Sequence, residues 1–77
     1  MHVTVTGYRR FRFTGNDGKE ISGRTVYYGY EQDDVKGLVC EKVFLSDEKF
    51  KSVSFDVGDT LNFEYNRYGK IHAVTKD

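Results

Sequence analysis

The 77-residue chain has no proline and no tryptophan, a single cysteine, a single methionine and no net charge. With Cys40 alone, no disulfide can form within the chain. Cys40, His2 and His72 are too few soft ligands for a zinc site. No stretch approaches the roughly 20 apolar residues that a membrane-spanning helix needs. Residues 1–13 carry three arginines and no continuous apolar run, which does not read as an export signal. An unpaired cysteine without an export signal is expected in a reducing cytoplasm. No proline-rich linker, repeat or low-complexity tract divides the chain, so residues 1–77 are read as one domain. Such a chain buries a modest core, and without disulfides or metal its usual support is self-association.

What it has instead is six Phe and six Tyr, more rings than a core of this size requires. Many interleave with arginine near the start: Tyr8, Arg9, Arg10, Phe11, Arg12 and Phe13, then Arg24, Tyr27, Tyr28 and Tyr30. Rings stack on bases and guanidinium forks hold phosphates. Charge is unevenly spread. Residues 1–30 hold five cations against Asp17 and Glu20, residues 31–64 hold nine acids against four lysines, and residues 65–77 hold three cations against Asp77. One basic face is therefore compatible with a neutral protein.

No window carries a helical apolar stripe; period-two alternation dominates. Val3 and Val5 alternate with Thr4 and Thr6, Gly7 marks a bulge or bend, and Phe11 and Phe13 alternate with Arg10 and Arg12, giving a long bent strand over 2–14. Residues 15–20 form a reversal around Asp17-Gly18. Strands are expected over 24–30, 38–45, 61–65 and 71–74, with Leu61, Phe63 and Tyr65 inward in the fourth. Val39, Val43 and Leu45 oppose Cys40, Lys42 and Phe44, and Cys40 reads as a small hydrophobe. Ser46 fits an N-cap for a helical turn near 46–51. The whole predicts an all-β, five-stranded antiparallel small barrel of the oligonucleotide-binding (OB) type, with an SH3-like barrel as the rival.

Catalytic signals are missing. Neither histidine sits near a nucleophile in a recognisable pattern, the glycines make no phosphate loop, and Asp33-Asp34 lacks EF-hand spacing. The chain reads as a non-enzyme with no cofactor and no metal. On a strand, residues two apart share a face, so Tyr8, Arg10 and Arg12 form one row and Arg9, Phe11 and Phe13 the other. Alternation alone leaves open which row meets the core. The candidate nucleic-acid contacts are Tyr8, Arg10, Arg12, Lys19, Arg24, Tyr27, Tyr30 and Lys42.

Laid out this way, the chain resembles the small single-stranded DNA-binding proteins of bacteriophages, of the filamentous-phage gene V type. The residues that carry the likeness are Val3-Thr4-Val5-Thr6-Gly7, Thr14-Gly15-Asn16-Asp17-Gly18-Lys19, Val57-Gly58-Asp59, and Tyr65-Asn66-Arg67-Tyr68-Gly69-Lys70-Ile71. The resemblance implies an OB fold, a homodimer and cooperative binding of single-stranded DNA with little sequence preference, in the DNA replication of a phage or mobile element. It maps that role onto Arg10, Arg12, Tyr27, Tyr30 and the loop at Lys19. RNA is the other nucleic acid compatible with these residues. The acidic loop after the second strand and the zero net charge depart from the pattern. A different class of function, a protein-interaction or regulatory module of a phage, plasmid or conjugative element, would use the same rings, because Tyr and Arg also dominate protein hot spots.

Overall fold

The computed structural model describes residues 1–76. In chain order it contains β1 (His2–Thr14), β2 (Glu20–Glu31), β3 (Leu38–Ser46), the helical turn α1 (Asp47–Phe50), β4 (Thr60–Tyr65) and β5 (Ile71–Lys76). The protein is all-β. One five-stranded sheet runs in the order β3-β2-β1-β4-β5, and every pairing is antiparallel. The sheet is not closed into a barrel: β3 and β5 are its two edges, and no ladder joins them among the described residues.

β1 serves two partners and has to bend between them. Its first residues, His2 to Thr4, pair with β4, while Thr4 to Thr14 pair with β2. The register slips between Val5 and Gly7, so Thr6 is the extra residue of a bulge. A bulge increases local twist and re-aims the residues beyond it. Here it shifts the phase. Val3 and Val5 lie in the core, and past the slip Tyr8, Arg10 and Arg12 take that inward side while Arg9, Phe11 and Phe13 turn outward. β2 begins at Glu20, four residues earlier than its β-branched and aromatic run suggested, because the Asp17-Gly18 turn closes directly onto it; Gly18 supplies the positive φ of 80°. Hairpin residues 12–14 and 20–22 project beyond the end of β3 and pair only with each other.

The core consists of Val3 and Val5 from β1, Val26 and Tyr28 from β2, Leu45 from β3, Leu61 and Phe63 from β4, and Val74 from β5, with Phe50 and Phe55 closing it from α1 and the loop that follows. Tyr65 continues the inward row of Leu61 and Phe63 without being buried. It stands at the open seam, where it is 42 % exposed; the register slip opposite it takes in His72 of β5 as the extra residue. Cys40 is exposed too, because its strand neighbours on that side point to solvent. Ser46 precedes α1 in extended conformation, but its side chain makes no capping hydrogen bond. Arg24 fastens the loop after α1. Its guanidinium donates to the carbonyls of Phe50 (2.9 Å) and Val53 (2.8 Å) and lies 4.5 Å from the centre of the Phe55 ring. Residues 56–59 are tied to the bend in β1, with Gly58 N–H donating to Val5 O and Val5 N–H to Asp59 O. No helix among the described residues is long and apolar enough to cross a membrane.

Candidate nucleic-acid interface

The eight residues picked out by sequence divide between two faces and a turn. Tyr8, Arg10, Arg12, Arg24 and Tyr30 are on the inward side of β1 and β2, Tyr27 and Lys42 on the outward side of β2 and β3, and Lys19 in the β1–β2 turn. Most of the inward set is engaged within the fold. Tyr8 packs edge-on against Phe55, with ring centres 5.3 Å apart. Arg10 donates to Asp47, Arg12 pairs with Glu20, and Arg24 holds the loop carbonyls. The Tyr30 hydroxyl donates to Glu41 at 3.1 Å, and the Tyr28 hydroxyl lies 3.5 Å from the same carboxylate oxygen. Lys19 is exposed; its backbone N–H donates to the Asp17 carboxylate and its carbonyl accepts from the Gly15 N–H.

The outward side is different. Register places Gly7, Tyr27 and Lys42 in one row, Arg9, Thr25 and Phe44 in the next, then Phe11, Gly23 and Ser46, then Phe13 and Ile21. Rows two residues apart on a strand are roughly 7 Å apart. Phe11 and Phe13 are each 40 % exposed, and Tyr27 is 37 % exposed. Phe11, Phe13 and Phe44 form a ring cluster with centres 5.7 to 6.4 Å apart. The Arg9 guanidinium lies 5.6 Å from the centre of the Phe11 ring. By alternation the only carboxylate this side of the three strands carries is Glu31, at the far end of β2. Flat apolar rings next to cations and away from acids can stack on planar groups while holding anions.

The inward side shows the reverse electrostatics. Asp47 is partly shielded from water, which disfavours its charge, yet hydrogen bonds from Arg10 and Ser22 outweigh this and hold its carboxyl below the ordinary aspartate range. Asp59 is also held low, first by the Asp56 N–H and then by Lys76. Burial, followed by the neighbouring Tyr65 and Glu41, pushes the Tyr28 hydroxyl up to about 12. Tyr65 is raised by burial and then by Glu41. Cations there are matched to acids and rings keep their protons. That chemistry holds a fold together.

Sequence reasoning passed over Arg9, Phe11, Phe13 and Phe44 as a surface set. The signal was present in the alternating row, but Phe11 and Phe13 have the same parity as Val3 and Val5, and only the bulge separates them. Among the described residues no group of three or more His, Cys, Asp or Glu is placed to hold a metal ion. Comparison with known protein families, characterised proteins and solved structures finds no match to this chain.

Proposed function

We propose that the protein binds single-stranded nucleic acid, DNA in the first instance, without catalysis and with little sequence preference. One observation carries this reading: the outward side of β1, β2 and β3 presents Phe11, Phe13, Phe44 and Tyr27 with Arg9 and Lys42 and no nearby strand carboxylate. Bases stack on the rings, and Arg9 and Lys42 follow the phosphates. Tyr27 and Lys42 belong to the set chosen from sequence. Arg10, Arg12 and Arg24 act in this reading mainly by stiffening the hairpin, because each already has a partner in the fold. A homodimer is part of the proposal, supported by the small core and the two open sheet edges. The resemblance to phage DNA-binding proteins supports the same substrate.

Titration of tyrosine fluorescence with oligo(dT) at two salt concentrations tests this. The parent should bind at low salt and weaken as salt rises, because bound phosphates release counterions. Phe11→Ala should cost about 1–3 kcal/mol at every salt concentration, the usual worth of one stacked base. Lys42→Ala should lower the slope of log K against log salt by roughly 0.7, the single-strand value per neutralised phosphate. Arg10→Ala should change that slope less, since Asp47 already offsets its charge. No binding at low salt, or folded Phe11→Ala and Lys42→Ala variants equal to the parent, would overturn the proposal. Salt-insensitive binding of a protein partner through the same rings would replace it with the interaction-module reading.

A further inference from the structure

The open seam of the sheet contains a cleft of about 420 Å³ between β3 and α1 on one side and the β4–β5 hairpin on the other. Three lysines, Lys42, Lys49 and Lys70, line it together with Phe44 and Tyr65, and among the described residues no carboxylate is in its wall. The lack of acid is informative, because residues 31–64 supply most of this wall and hold nine acids against four lysines. Among the described residues none of these three lysines is in an ion pair, whereas Arg10, Arg12 and Lys76 each are. Glu41, the acid whose charge acts on Tyr65, already accepts from Tyr30. A cation without a partner in the fold keeps its full attraction for an outside phosphate.

The cleft also continues the face already described. Lys42 and Phe44 belong to the outward rows of β3 and to the cleft wall alike, so β3 joins the ring cluster of Phe11, Phe13 and Phe44 to the cleft that holds Tyr65. Tyr65, two residues beyond the buried Phe63 on the same side of β4, stands in the cleft wall at the open seam and is 42 % exposed. A ladder between β3 and β5 would fill the space, and among the described residues none is there.

We infer that a bound single strand leaves the outward face across β3 and enters this cleft, where Lys49 and Lys70 hold phosphates and Tyr65 stacks one base. The inference rests on the function proposed above and extends its site by a second segment. Length dependence separates the two. Oligo(dT) of about four nucleotides, the lower limit for such folds, fits on the outward face, and one of about sixteen, the upper limit, reaches the cleft.

In the full-length protein the double variant Lys49→Ala with Lys70→Ala should lower the salt slope for the long oligonucleotide by roughly 1.4, two single-strand charges, and leave the short one unchanged. Tyr65→Leu keeps apolar contact and should weaken only the long oligonucleotide, by about tenfold. Both lysines are exposed, and urea unfolding at the parental midpoint confirms that the double variant is intact. If the double variant binds the long oligonucleotide like the parent while Phe11→Ala is weakened, the cleft is not on the path and the inference fails with the outward site standing. Equal loss for both lengths also overturns it, because the cleft would then be the primary site. A parent that binds neither length removes the proposed function itself.

Discussion

A Cβ built on Gly23 would stand 2.4 Å from the Leu45 carbonyl oxygen, 2.7 Å from the Phe44 ring and 2.9 Å from the Ser46 Cα. Two of those three neighbours are backbone and cannot swing aside. Glycine is therefore required here by the close approach of β3, and its bare backbone is what leaves room for Phe44 over β2, towards Phe11 and Phe13. Gly23→Ala should destabilise the protein by about 1–3 kcal/mol, the usual cost of overpacking. Urea unfolding measures this, and an unchanged midpoint would mean that β3 shifts freely. Among the other residues, alternation grouped Tyr28 with Val26 and Tyr30 but left their side open, and Tyr28 is core. Cys40 was read as a small hydrophobe and is exposed, since residue type says nothing about which side of an edge strand is covered.

At the scale of elements, the long hairpin is held to α1 by one carboxylate. Asp47 accepts from Arg10 of β1 and from Ser22 of β2, joining both strands to the helical turn. Its carboxyl titrates below the ordinary range, so the folded state favours the charged form. Such a group contributes stability that is present above its unfolded value of about 3.9 and is lost as pH falls through the lower folded value. Asp59, held low by the Asp56 N–H and Lys76, adds to the same limb. Unfolding midpoints measured at pH 7 and stepwise below pH 4 should show the parent losing stability in that window. Asp47→Asn should be less stable at pH 7 and lose less on acidification, keeping the part due to Asp59. An identical acid limb in the variant would show that the Arg10 contact carries no stability. The hairpin itself, the turns at Gly18 and Gly69 and the short α1 were all visible in sequence, because glycine turns and alternation are local signals.

For the whole molecule, the open seam is the main departure from a closed barrel. Two sheet edges stay unpaired in a chain whose extents are 43 × 28 × 20 Å, and unpaired edges invite another strand. The proposed self-association would answer both the edges and the small core. Sedimentation equilibrium at micromolar concentration should give twice the chain mass of 8.9 kDa. A single species at the chain mass would remove the homodimer from the proposal while leaving nucleic-acid binding to its own test.

By itself the sequence determined the all-β class, the antiparallel hairpins, the turn positions and the surplus of rings and arginines, since each depends on neighbours a few residues apart. Tertiary structure decided the rest through long-range choices. The single residue Thr6, inserted where β1 passes from β4 to β2, inverts the phase of everything after it. Without that slip Phe11 and Phe13 would lie beneath the sheet with Val3 and Val5, and the arginine row would face solvent. The loop after α1, fastened by Arg24, then covers part of the inward row, and Asp47 takes up Arg10 from a position 37 residues away in sequence. Alternation fixes which residues travel together on a strand. Which row is buried depends on what packs against the strand, and here α1 and its loop, supplied far along the chain, decide it.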